Sequence, residues 1–234
     1  MDEEKDDSDI RIYMDSSGYK GNIGPAAVLY RKGAEEPEKV LHVYLGPLMR
    51  HTTFEGKAVG SILTAWMIQG QTEVGKSTVT SRTNSQAFIK SMGVRKSGPG
   101  QYPIMEYLRL TEDINDGTNL PTPADTAKFM LKWVAVHKGV VENERVDKEA
   151  KKAAQGELNP LEELPPALRK CLPTSTTTVK QEFNKKLKAR WAETWKVLLH
   201  YARFQHIDMD LPFNKFQKIN NTFSRPQANL LMQL

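Results

Sequence analysis

Hydrophobic and polar positions alternate near the start of the chain. In Asp9–Asp15 (DIRIYMD), Ile10, Ile12 and Met14 are interleaved with Arg11 and Tyr13, the period of a strand. Ser16–Gly24 (SSGYKGNIG) reads as a Gly-rich turn, Pro25–Tyr30 (PAAVLY) as a second strand and Val40–Leu45 (VLHVYL) as a third. Short connections between them predict an antiparallel meander. Over residues 52–69 the period changes. Val59, Ile62, Leu63, Trp66 and Met67 recur at helical spacing, and Thr52 or Thr53 can cap the helix start. A βα order follows: strand Ser77–Arg82, short helix Asn84–Met92, helix Tyr102–Asn115, strand Phe129–Val136 and polar helix Asn143–Gln155. The pattern predicts an α/β domain with a five-stranded mixed sheet, three strands antiparallel and then parallel ones, and helices on both faces.

The pattern breaks after Gln155. Residues 156–179 hold four prolines and the run Thr174–Thr178 (TSTTT), the composition of a linker. Residues 180–234 read as a basic helical extension. In Lys180–Phe204, Phe183, Leu187, Trp191, Trp195, Leu198 and Tyr201 lie near one stripe, with Lys185, Lys186, Lys188, Arg190 and Lys196 largely off it. Such a stripe is expected to pack against protein, so this helix is a candidate surface for protein partners.

Composition narrows the class. The chain has 234 residues, 39% hydrophobic and 26% charged, which excludes disorder along most of its length. No apolar run approaches the roughly 20 residues of a membrane span. The acidic start MDEEKDDSD is unlike a signal peptide, and the single Cys171 excludes a disulfide framework and a Cys-based zinc site. An intracellular protein is expected. The net charge of +5 is unevenly spread: residues 1–9 carry six acids and one Lys, whereas 10–155 carry 20 basic and 15 acidic groups and 156–234 carry 12 and 7. An acidic arm therefore precedes two basic parts, and basic balance points weakly to nucleic acid.

In this topology Asp15, Lys57, Asn84 and Asp147 would face one cleft, with His137 within reach. Each also has a plainer reading. Asp15 suits a turn, Asn84 suits an N-cap for the helix after it, Asp147 suits a solvated helix face, and His137 suits a surface loop. Gly18, Gly21 and Gly24 fit a hairpin turn and not a phosphate-binding loop.

Taken in order, IYMDSSGYKGNIGPAAVLY, HTTFEGKAVGSILTAWMI, TNSQAFIKSM and LKWVAVHKGVVENERVDKEAKKAA resemble four successive blocks of a ribonuclease H domain, of the type attached to reverse transcriptases of fungal retroelements. The likeness covers about residues 10–155, and in its last block Trp133, His137, Asn143, Glu144 and Asp147 all match. It implies a ribonuclease H-like fold for that stretch, between the acidic arm 1–9 and the linker 156–179 and extension 180–234 read from composition. It implies RNA–DNA hybrid as partner, with Ser16, Ser17, Gly18, Asn22, Asn84, Gln86 and Asn143 near the nucleic acid. The family cuts the RNA strand with two Mg2+ ions about 4 Å apart, held by an Asp–Glu–Asp–Asp set. Asp15 and Asp147 fall on its first and last members and His137 on an assisting position. The Glu position falls on Lys57 and the middle Asp on Asn84. An ammonium and a neutral amide there imply weak or lost hydrolysis, with Mg2+ as cofactor only if activity survives. The expectations are therefore a hybrid-binding domain, a scaffold for protein partners, or an active hybrid ribonuclease, in that order.

Overall fold

A computed structural model of the chain describes residues 8–69, 77–93, 100–115, 128–134, 140–198, 201, 218 and 221–233. The chain divides into two compact units, residues 1–179 and 180–234.

The first unit is built on strands β1 (Ile10–Tyr19), β2 (Asn22–Arg31), β3 (Lys39–His42), β4 (Gly46–Pro47), β5 (Thr78–Thr83) and β6 (Lys128–Trp133). Their order is β3-β2-β1-β5-β6, and the two-residue β4 pairs with β2 off that path. β1 runs antiparallel to β2 and β2 to β3, whereas β5 is parallel to β1 and β6 to β5. The mixed sheet expected from the sequence is present, with β4 as a sixth, minimal strand.

Helices α1 (Thr53–Gln69) and α3 (Gln101–Asn115) cover one face, and α4 (Val141–Ala154) the other. The alternation in β1 explains the division. Ile10, Ile12 and Met14 enter the core with Ile62, Leu63, Phe88 and Leu110, while Tyr13 packs with Val28, Tyr30, Val146 and Ala150 beneath α4. α1 is enclosed by sheet and α3, so almost its whole circumference is buried and Lys57 is one of its few accessible positions.

Local chemistry differs from expectation in four places. β1 continues through Ser16–Tyr19, and the turn is only Lys20–Gly21, both at positive φ (47° and 80°), the geometry of a two-residue hairpin that follows strand twist. Gly24 therefore lies in β2. It is needed because a Cβ there would stand 2.0 Å from the Ala154 nitrogen of α4. The short helix α2 (Gln86–Ser91) is capped by Ser85, whose Oγ accepts from Phe88 N at 3.2 Å, which leaves the Asn84 side chain free of that duty. Residues 156–179 are not a loose linker. Leu164 and Leu168 enter the main core, Asn159 Oδ1 accepts from His42 N at 2.8 Å, and the Trp66 indole donates to the Glu163 carbonyl at 2.8 Å.

Helix α5 (Thr176–Lys196) begins four residues before the expected Lys180, where Thr178 Oγ1 donates to the Arg50 carbonyl. In the second unit, Phe183, Leu187, Trp191 and Leu198 are exposed. A last helix, α6, spans Arg225–Gln233. No helix among the described residues is long and apolar enough to cross a membrane.

Candidate functional site

Asp15 lies in the middle of β1, in register with Ala26 of β2, and is 8% exposed. A carboxylate that far from water needs partners. One oxygen, Oδ1, accepts from the Ser16 backbone N–H at 2.7 Å and faces Lys57 Nζ at 3.0 Å. The other, Oδ2, accepts from Asn84 Nδ2 at 2.8 Å. Lys57 Nζ also donates to Asn84 Oδ1. Three side chains from β1, α1 and the β5–α2 junction thus close a ring: ammonium to carboxylate, carboxylate to amide, amide back to ammonium.

Three local features hold the ring. α1 starts with a capping box: Thr52 Oγ1 accepts from Glu55 N at 3.1 Å, and Glu55 Oε2 accepts from Thr52 N at 2.8 Å. Glu55, the nearest acid to Lys57 in sequence, is thereby committed to the helix start. Gly56 lets α1 approach β1, since a Cβ there would stand 2.0 Å from Ser16 Oγ. Trp133, at the end of β6 and 47% exposed, donates its indole N–H to the Asn84 carbonyl at 3.3 Å. Its contact with Asn84 could not be read from the sequence, because it depends on the register of β5 with β6.

Asp147, on α4, does not join the ring. Its Oδ2 accepts from Lys151 Nζ at 2.6 Å, one turn along the same helix. That bond, with smaller help from the Asp15 charge, raises the Lys151 pKa above its ordinary value. Each of these two carboxylates thus has a lysine beside it, Lys57 at Asp15 and Lys151 at Asp147. His137 lies outside the described residues.

The candidate nucleic-acid contacts separate. Ser17 is half-buried in β1, and Gly18 and Gln86 are exposed. Asn22 accepts from the Tyr44 hydroxyl at 3.1 Å. Ser16 Oγ is buried without a hydrogen-bond partner, and Asn143 is 9% exposed. Neither presents its side chain to a ligand.

The arrangement does not fit a divalent metal pair. Hard cations need several anionic oxygens, and no group of three or more His, Cys, Asp or Glu among the described residues could hold a metal ion. Both oxygens of Asp15 are already engaged, one of them by an ammonium.

No family model matches the chain, and no curated protein matches it. Solved structures do. LC11-RNase H1, isolated from compost, is 15% identical with a TM-score of 0.49 over 64% of this chain and 97% of its own. RNase H1 from the halophilic archaeon Halobacterium salinarum is 16% identical, TM-score 0.43, over 63% and 98%. The PFV RNase H domain is 15% identical, TM-score 0.46, over 64% and 96%. All three are ribonucleases H. Of the positions singled out in the sequence blocks, Lys57 and Asn84 sit beside Asp15, and Asp147 pairs with Lys151.

Proposed function

We propose that the chain is a ribonuclease H-like domain that binds RNA–DNA hybrid and does not cut it efficiently. The observation that carries this reading is the Lys57 ammonium, which stands 3.0 Å from Asp15 and donates to Asn84. It fills with a fixed monovalent charge the place where the sequence blocks put a bridging carboxylate. A fixed ammonium satisfies Asp15 but offers no open coordination position and no activated water. Ser17, Gly18 and Gln86 remain available beside this ring for phosphate and 2′-hydroxyl contacts, which depend on shape and charge and not on base edges.

The test compares the full chain with Lys57→Glu/Asn84→Asp. The unaltered chain should bind a labelled hybrid, with affinity falling steeply as salt rises, and show no Mg2+- or Mn2+-dependent cleavage. The double variant should gain a Tm that rises with added Mg2+, because three carboxylates then share one site, and should gain cleavage. Cleavage by the unaltered chain that Asp15→Asn abolishes would overturn the reading. Absence of hybrid binding at low salt would do so too and would favour the scaffold for protein partners.

A further inference from the structure

A cavity of about 250 Å3, apart from the Asp15 ring, is lined by residues of the first unit alone. It sits where the starts of α1, α3 and α5 meet the segment 172–175. Gly100, at φ 71°, lets the start of α3 press against α1: a Cβ there would stand 3.0 Å from the Phe54 ring and 3.3 Å from Glu55 Cγ. The segment 172–175 is fixed in turn, since Ser175 N donates to the Arg50 carbonyl at 2.8 Å and Leu172 packs against the main core.

Two of the helix starts bordering the cavity lack a cap. The N-cap position of α3 is Gly100, whose carbonyl accepts from Ile104 N, and Pro103 has no N–H. The N–H groups of Gln101 and Tyr102 therefore find no acceptor among the described residues. The N-cap position of α5 is Ser175, whose carbonyl accepts from Val179 N. A serine there ordinarily turns its hydroxyl onto the first turn. Ser175 does not: the residue is 5% exposed, and its Oγ is buried with no hydrogen-bond partner. Two positive helix ends and an unpaired buried hydroxyl together favour an anionic acceptor.

Glu55 decides which anion. It is 6% exposed; Oε2 is held by Thr52 N, and Oε1 takes no hydrogen bond among the described residues. A plain carboxylate or phosphate would lie against this negative charge, and a plain amine would leave the helix ends unpaired. A molecule with both charges on one short frame satisfies both. The remaining wall is largely apolar, from Pro103, Leu172, Pro173 and the Tyr102 ring, and the volume falls below that of sites for drug-sized ligands. We propose that this cavity binds a free α-amino acid with an apolar side chain. Its carboxylate lies at Ser175 Oγ and the N–H groups starting α3 and α5, its ammonium at Glu55, and its side chain against Leu172 and Pro103. The proposal does not depend on the hybrid-binding reading.

The experiment titrates L-leucine into the full chain by calorimetry, beside N-acetyl-L-leucine, which lacks the ammonium, and L-leucinamide, which lacks the carboxylate. L-Leucine should bind one to one and raise Tm. Each derivative should bind at least about tenfold more weakly, since each leaves a charged hydrogen-bonding group without its partner. Ser175→Ala should weaken L-leucine binding about threefold to tenfold, while the unliganded Tm stays equal or rises, because the variant removes a buried hydroxyl that has no partner. Glu55→Gln keeps the capping box, in which Gln serves as Glu does, and should bring the affinities for L-leucine and N-acetyl-L-leucine together. No saturable binding of L-leucine up to about 10 mM overturns the proposal. So does equal affinity for the three compounds, a fall in the unliganded Tm of Ser175→Ala, or L-leucine binding that neither variant changes.

Discussion

Replacing Lys57 by Met keeps most of the side-chain volume and removes the charge, leaving Asp15 nearly buried without its counter-ion. The gross attraction at 3.0 Å is about 5 kcal/mol if the effective dielectric constant is about 20. Part of it is offset because the Lys57 and Asp15 side chains keep 21% and 11% of their surface exposed, and water screens them. Asp15 also retains its bonds from Ser16 N and Asn84 Nδ2 in the variant. The loss should therefore fall below the roughly 3–5 kcal/mol of a fully buried pair, at about 2 kcal/mol. For a unit of this size that corresponds to a Tm drop of about 4–8 °C. Asp15→Asn alone should also destabilise, since it strands the ammonium. The double variant Lys57→Met/Asp15→Asn should recover about 1.5 kcal/mol relative to the sum of the single ones. Urea unfolding of the four proteins, followed by Trp fluorescence, supplies the cycle. A coupling below about 0.5 kcal/mol would mean that the pair is not formed in solution, and the account of the site would fall with it.

Two further outcomes test the frame around the site. Burial pushes the His42 and His51 pKa values below the usual 6.5, against the opposing pull of Glu149 and Glu55 respectively. The unfolded chain then binds more protons than the folded one in the window just below pH 6.5, so stability falls as pH drops through it. A pH series of unfolding curves should show this slope, and His42→Gln should flatten it; a flat wild-type profile refutes the burial argument. Gly24→Ala should destabilise by about 3 kcal/mol or more, because its Cβ would meet the Ala154 nitrogen at 2.0 Å and the Ala153 carbonyl carbon at 2.4 Å, backbone atoms that cannot rotate away. A cost under about 1 kcal/mol by urea unfolding would mean that α4 does not press on β2 as described.

The sequence by itself determined the elements and the chemistry at the site positions. Alternation in β1 separates Ile10, Ile12 and Met14 from Tyr13, and the 3.6-residue period marks α1, because both signals are written by near neighbours along the chain. The block likeness put Lys57 and Asn84 in one cleft with Asp15. Tertiary structure decided how these groups use one another. The Lys57–Asn84 and Asn84–Asp15 bonds span 27 and 69 residues, so they exist only through the packing of α1 on the sheet and the parallel register of β1 with β5. Competition for hydrogen bonds was equally invisible: Ser85, not Asn84, caps α2, and Lys151 takes Asp147. Composition misread residues 156–179 for the same reason, because proline content shows where regular structure stops and not whether Leu164 and Leu168 find a core. The stripe on α5 was legible as a pattern. The exposure of its members, from 64% at Phe183 to 40% at Trp191, is set by tertiary contacts and not by periodicity.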